Sequence, residues 1–255
     1  MSAQNIYDDP KFFAGYSRLP RSESGLGAVY EWPAFQRLLP ASLHGLRILD
    51  LGCGFGYFVR EARARGAKQV IGVDLSARML AAARAATHDD GILFVQAALE
   101  DYRPEAATFD LVVSSLALHY IADYRALIRR VAACLVDGGR FVFSVEHPIF
   151  TAHGSADWCY GAQGERLHWP VDRYRDEGER RTNWFVDGVL KYHRTIESYV
   201  NGLLQAGLCL ARLEEPEAET AQVAQHPEWG DERRRPPFLL MAAVKATPAR
   251  VSGMS

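Results

Sequence analysis

Five residues stand at spacings that could do chemistry: Asp50, Gly52, Gly54, Gly56 and Asp74. The glycines alternate directly after an apolar run, Leu46 to Leu51, and a helical pattern begins behind them. A strand that runs through a glycine turn into a helix brings a ligand against bare backbone at a helix N-terminus. Gly52 and Gly54, without Cβ atoms, permit unusual dihedrals and close approach. A second apolar run, Val70 to Val73, ends in Asp74, 22 residues after Gly52. A carboxylate at that strand tip is placed to accept hydrogen bonds from both hydroxyls of a ribose. The unit is a nucleoside-binding βαβ, but not of the dinucleotide type. The pyrophosphate fingerprint wants a third glycine where Tyr57 stands. Asp50 would crowd a pyrophosphate, yet it suits an ammonium group.

These residues need a parallel sheet to hold them, and the chain supplies one. Helical patterns over Phe58 to Gly66 and Ser76 to Thr87 follow the two strands, the second with Ser76 as its cap. Strand three is Ile92 to Val95, and strand four is Phe109 to Ser114, apolar throughout as an interior parallel strand should be. Asp123 to Leu135 reads as a helix, Asp137 to Gly139 as a turn, and Arg140 to Glu146 as strand five. Further on come a helix from Ile196 to Ala206, a strand from Leu208 to Leu213, and a last strand from Phe238 to Val244. The acidic stretch Glu214 to Glu219 reads as a solvated loop. With no helix expected after it, the last two strands form a hairpin, and the final one runs antiparallel. Residues beyond Thr247 are expected to fray.

Asp-x-Gly-x-Gly-x-Gly followed by an acid-tipped second strand resembles the class I S-adenosylmethionine-dependent methyltransferases. The resemblance runs from Leu46 to Glu146 and is closest to the small-molecule branch, which Leu118-His119-Tyr120 and Tyr192-His193-Arg194-Thr195 also resemble. It implies an α/β, Rossmann-like, seven-stranded mixed sheet of order 3-2-1-4-5-7-6 flanked by helices, with S-adenosylmethionine as donor and S-adenosylhomocysteine as product. Carried over by position, Gly52, Cys53, Gly54 and Gly56 flank the donor, and Asp74 binds its ribose. Asp50 supports the loop or the donor's ammonium, while Ser114 offers it a carbonyl. Leu75 and Met79 pack near the adenosine. Leu99 and Glu100 border the adenine, although Ala98 stands where the family usually has an acid.

Other stretches frame an acceptor site. Residues 1–45 hold Asp8-Asp9-Pro10, a helix start, then Tyr16 and an arginine cluster, and a short helix from Trp32. Tyr16 is expected beside the donor, under a segment that either covers the cofactor as a lid or packs on the core. Residues 46–147 form the cofactor-binding core, 148–194 an aromatic-rich lid insertion, and 195–247 the closing helix and hairpin of one 1–255 domain. A loop as long as Ile149 to Arg194 is usually functional; the competing reading is a hairpin over a sheet edge or at a dimer. Trp32, Tyr120, Glu146, Trp169, Tyr174 and Trp184 are the candidate substrate contacts. His119, His193 and His147 are the candidate bases, since imidazole titrates near neutral pH, with Glu146 and Asp172 next.

Composition excludes several alternatives. At 48% hydrophobic and 24% charged, with net charge −2, the chain has no basic stripe for nucleic acid. No apolar run reaches the length of a membrane span, and no basic-then-apolar leader opens the chain. Cys53, Cys134, Cys159 and Cys209 lack CxxC pairing and read as reduced thiols in a cytoplasmic protein. No metal is expected, because the ligand spacings are missing. The function expected is transfer of a methyl group to nitrogen or oxygen of a small aromatic or heteroaromatic metabolite, by a monomer or homodimer. The alternatives are carbon methylation of a quinone-type precursor and a catalytically silent donor-binding protein.

Overall fold

The computed structural model describes residues 4–153 and 157–247. Helices α1 (Pro10–Tyr16), α2 (Pro20–Glu23) and α3 (Trp32–Leu38) precede β1 (Arg47–Leu51). Then follow α4 (Tyr57–Ala64), β2 (Gln69–Asp74), α5 (Ala77–Ala85), β3 (Ile92–Gln96), β4 (Phe109–Ser115), α6 (Tyr124–Cys134) and β5 (Leu135–Glu146). An insertion carries α7 (Pro148–Ala152), β6 (Cys159–Tyr160), β7 (Arg166–His168), β8 (Gly178–Trp184) and β9 (Val186–His193). The chain closes with α8 (Ile196–Gln205), β10 (Leu208–Glu214), α9 (Thr220–Gln225) and β11 (Phe238–Lys245).

One seven-stranded sheet has the order β10-β11-β5-β4-β1-β2-β3. The five strands from β5 to β3 are parallel, and β11 is antiparallel to both its neighbours. This is the Rossmann-like methyltransferase order expected above. Alternation along the strands divides the core in two. Leu49, Val112, Phe141 and Phe143 face α6 and α8, while Ile48, Leu111, Val113 and Val142 face α3 and α4. Coverage on both faces explains why the strands read as unbroken apolar runs; each such buried side chain contributes ~1.5–3 kcal/mol. Because β1 pairs with both β2 and β4, the strand order reverses there. The chain leaving β1 and the chain leaving β4 therefore meet at one crevice.

Four expectations need correction. The turn at Asp137 to Gly139 is a bulge inside β5: pairing jumps from Phe109–Leu135 to Leu111–Arg140. The insertion is no open loop but two antiparallel pairs, β6–β7 and β8–β9. Between β10 and β11 lie α9, opened by a Glu219/Gln222 capping box, and a 3-10 helix over Pro227–Arg234. Six- and eight-residue helices are too short to imprint a clear period on sequence. The acidic stretch is not simply solvated, since Ala218 is buried and Glu215 accepts a hydrogen bond from His147. The tail expected to fray after Thr247 lies outside the described residues. Among those residues no helix is long and apolar enough to cross a membrane.

Candidate functional site

The chain leaving β1 turns at Gly52, whose φ of +80° few other residues adopt and where a Cβ would lie 2.4 Å from the Ala117 Cβ. Gly54, with φ +50°, would direct a Cβ into open space. Asp74, at the tip of β2, ties this loop down: its carboxylate accepts the Gly54 N–H at 2.8 Å and the Ser76 N–H at 2.9 Å. Burial raises the Asp74 pKa, and these two N–H groups oppose the rise. Asp50 lies deeper, and no hydrogen-bond donor among the described residues reaches its carboxylate. Burial, then the charge of Asp74, pushes its pKa up to about 8.

The N-terminal segment covers this crevice. Asp9 caps α1 by accepting the Phe12 N–H, with Pro10 in the first turn. Asp8 reaches across to the start of α5, accepting from Ser76 Oγ at 2.6 Å and from the Arg78 N–H at 3.1 Å. Tyr7 is thereby set edge-on to Tyr16 and within 3.2 Å, oxygen to oxygen, of Tyr120. Tyr16 stacks on Phe55 of the glycine loop. The space left beneath is about 110 Å³ and is bordered by Gly52, Gly54, Asp74, Leu75, Met79 and Leu99, with Glu100, Tyr16 and Tyr120 at its edges.

A second, larger cavity of about 510 Å³ lies on the other side of Leu116, which lines both. Leu116 has φ +53°, unusual for a residue other than glycine, and its N–H is held by the backbone and side-chain oxygens of Ser144. Strain of this kind gathers at functional sites. The larger cavity takes its aromatic wall from Tyr30, Phe150, Trp184, Trp229 and Phe238. Three ion pairs are set into that wall: Arg21–Glu31 at 2.7 Å, Lys191–Glu146 at 2.5 Å and Arg235–Glu232 at 2.6 Å.

Comparison with known proteins agrees with this architecture. The methyltransferase-domain family model matches residues 49–143. An S-adenosylmethionine-dependent methyltransferase from Mesorhizobium loti, solved by crystallography, superposes with a TM-score of 0.81 at 47% identity, over 86% of this chain and 100% of that one. The chain belongs to the S-adenosylmethionine-dependent methyltransferases. An uncharacterized Haemophilus influenzae protein is 33% identical over 94% of this methyltransferase and 97% of its own length. The Vibrio parahaemolyticus ubiquinone biosynthesis O-methyltransferase is 33% identical, but over only 40% of this chain and 44% of its own. The chain spans about half or less of several other curated relatives that it matches.

The donor of this methyltransferase is S-adenosylmethionine, and the crevice suits it. Gly54 leaves room where a Cβ would intrude, and Asp50 is a buried carboxylate without a partner among the described residues. Four of the expected donor contacts do not line the crevice, the buried Asp50 among them. Gly56 backs onto Phe94, whose ring would be 2.9 Å from an added Cβ. The Cys53 sulfur packs against Gly72 in the core. Ser114, expected to offer its backbone carbonyl, is buried with its hydroxyl donated to the Leu51 carbonyl at 2.7 Å, and the residues that border the crevice after β4 are Ser115, Leu116 and Ala117.

Of the eight histidines in the chain, the three expected as bases have ring nitrogens engaged within the fold. His119 accepts the Glu146 N–H at Nδ1, which leaves its proton on Nε2 and no lone pair for a substrate. Burial holds its pKa down at about 4. His147 accepts the Ile149 N–H at Nδ1, capping α7, and donates from Nε2 to Glu215. His193 accepts the Thr151 hydroxyl at 2.7 Å and donates to the Tyr174 carbonyl at 2.9 Å, with burial lowering its pKa. None of the three lines either cavity.

Of the expected substrate contacts, Glu146 and Trp184 line the larger cavity and Tyr120 the smaller. Trp32 packs on Phe35 and Phe58 beneath the sheet. Trp169 stacks on Phe150 behind the wall, and the Tyr174 hydroxyl accepts the Ile196 N–H. Lys191 was not among the residues expected at the site. Strand periodicity could have found it, since Val189, Lys191 and His193 alternate on the buried face of β9.

Proposed function

We propose that this methyltransferase moves the donor's methyl group onto a nitrogen or oxygen of a small aromatic or heteroaromatic molecule held in the 510 Å³ cavity. One observation carries the reading: Leu116 is a wall of both spaces, so a molecule in the larger one lies next to the donor. That volume falls within the ~300–1,000 Å³ of small-molecule sites, and five aromatic rings offer faces to a flat ligand. When bound, the donor supplies an electrophilic sulfonium methyl. The chain's part is to position and to exclude water. Asp74 takes the ribose hydroxyls, the bare backbone at Gly54 admits close approach, Asp50 answers the ammonium, and Leu99 borders the adenine. Alignment of this kind supplies up to ~7–11 kcal/mol of a barrier.

The Vibrio relative is named as an O-methyltransferase, in keeping with an oxygen acceptor. Carbon methylation of a quinone precursor would want a more apolar wall than three ion pairs provide. The test is calorimetry with S-adenosylhomocysteine, followed by incubation of a CD3-labelled donor with a protein-free metabolite extract. Binding plus labelled small-molecule products is the expected result. Binding with no labelled product would leave a silent donor-binding protein.

A further inference from the structure

Half of a buried carboxylate stands unused in the larger cavity. Glu146 is the last residue of β5, two residues past the Ser115–Ser144 pairing that flanks Leu116. Its Oε1 accepts from Lys191 Nζ at 2.5 Å, across from β9. Its Oε2 is buried and has no hydrogen-bond partner among the described residues. An orphaned buried polar atom costs ~1–3 kcal/mol, and more for a charged group. A cross-link that merely fastened the β8–β9 hairpin to the sheet would gain by satisfying both oxygens. Moreover, the orphan is not isolated. Among the described residues eight side-chain atoms fully shielded from solvent make no hydrogen bond, and four of them belong to residues that line this one cavity: Glu146, Tyr30, Thr182 and Arg235. Such concentration marks a wall that waits for a polar ligand.

We propose that Glu146 is a catalytic residue, receiving at Oε2 the proton of an N–H or O–H methyl acceptor while Lys191 holds Oε1. This rests on the methyltransferase reading of the cavity and narrows it to acceptors that carry a proton on the atom methylated. As the acceptor's heteroatom bonds to the methyl carbon, the carbon–sulfur pair stays with sulfur and the heteroatom's proton passes to Oε2. The titratable groups around Glu146 are Lys191 on β9, His119 and Tyr120 after β4, and Tyr199 on α8. Burial pushes the Glu146 pKa up, but His119 and Lys191 more than offset it, leaving it below the usual value. The His119 contribution requires an imidazolium that burial suppresses, so Lys191 acts at neutral pH.

Glu146→Gln keeps the Lys191 contact through its amide oxygen and removes the proton acceptor. With the CD3-labelled donor and metabolite extract, labelling should fall at least ~100-fold, the low end of general-base effects. S-adenosylhomocysteine affinity should not change. Lys191→Met should move the acid limb of the pH–rate profile to higher pH. It should also bring a protonated-carboxyl infrared band to higher pH, a band that Glu146→Gln removes. Wild-type labelling by Glu146→Gln, or an acid limb unmoved in Lys191→Met, overturns the proposal and leaves the methyltransferase reading standing. Failure of the unaltered protein to bind S-adenosylhomocysteine overturns both.

Discussion

Gly52 and Gly54 lie two residues apart in one loop, yet alanine at each should fail for different reasons. At Gly52 the backbone is left-handed, and a new Cβ would sit 2.4 Å from the Ala117 Cβ. The left-handed conformation costs ~1–2 kcal/mol and overpacking ~1–3 kcal/mol, offset by ~0.4–1 kcal/mol from stiffening the unfolded chain. Gly52→Ala should therefore lose about 1–5 kcal/mol of stability. Gly54→Ala has only the dihedral term, because no atom lies within 4 Å of its Cβ, and should lose about 0–2 kcal/mol. Its Cβ instead enters the space proposed for the donor. S-adenosylhomocysteine should bind it at least tenfold more weakly, about 1.4 kcal/mol. Urea unfolding measures the first quantity and calorimetry the second. Equal stability losses in the two variants, or wild-type affinity in Gly54→Ala, would refute the account of the loop.

Asp74→Ala removes both the proposed ribose acceptor and the anchor of the Gly54 and Ser76 N–H groups. Its S-adenosylhomocysteine dissociation constant should rise at least ~tenfold by calorimetry, and an unchanged constant would count against the ribose role. Asp50 makes stability depend on pH. Its folded pKa, about 8, exceeds the unfolded value of ~3.9, so its stabilisation is complete below pH ~4 and is lost as pH rises toward 8. Asp50→Asn should accordingly raise the urea midpoint more at pH 8 than at pH 5, and equal changes would refute the assignment. Asp8→Ala should release the N-terminal segment from α5, which fast tryptic cleavage after Lys11 or Arg18 would report. Cleavage at the wild-type rate would show that other contacts hold the segment.

The glycine-loop crevice was legible in the chain because its residues are close in sequence. Asp50, Gly52, Gly54 and Asp74 sit on one βαβ unit, where local geometry nearly determines what meets what. The buried parallel strands announced themselves in the same way, and the sheet order followed from the family resemblance. The roles of the histidines were not legible, because a side chain's chemistry is set by what its nitrogens bond to. Those partners, Glu146 N, Glu215 and Thr151 with the Tyr174 carbonyl, lie 19 to 68 residues away. Trp32 was no clearer, since its neighbour Phe58 comes from α4.

The sequence by itself determined the strand-turn-helix at the crevice, because short-range sterics and runs of apolar residues need no distant partner. Only the tertiary structure decided the larger cavity. It brought Lys191 of the insertion to Glu146 at the sheet edge, and set Leu116 between two cavities. Periodicity puts Lys191 on the buried face of β9, but nothing in the chain says which residue it meets 45 positions away, and the worth of the pair comes from burial that exists only once the hairpin has docked.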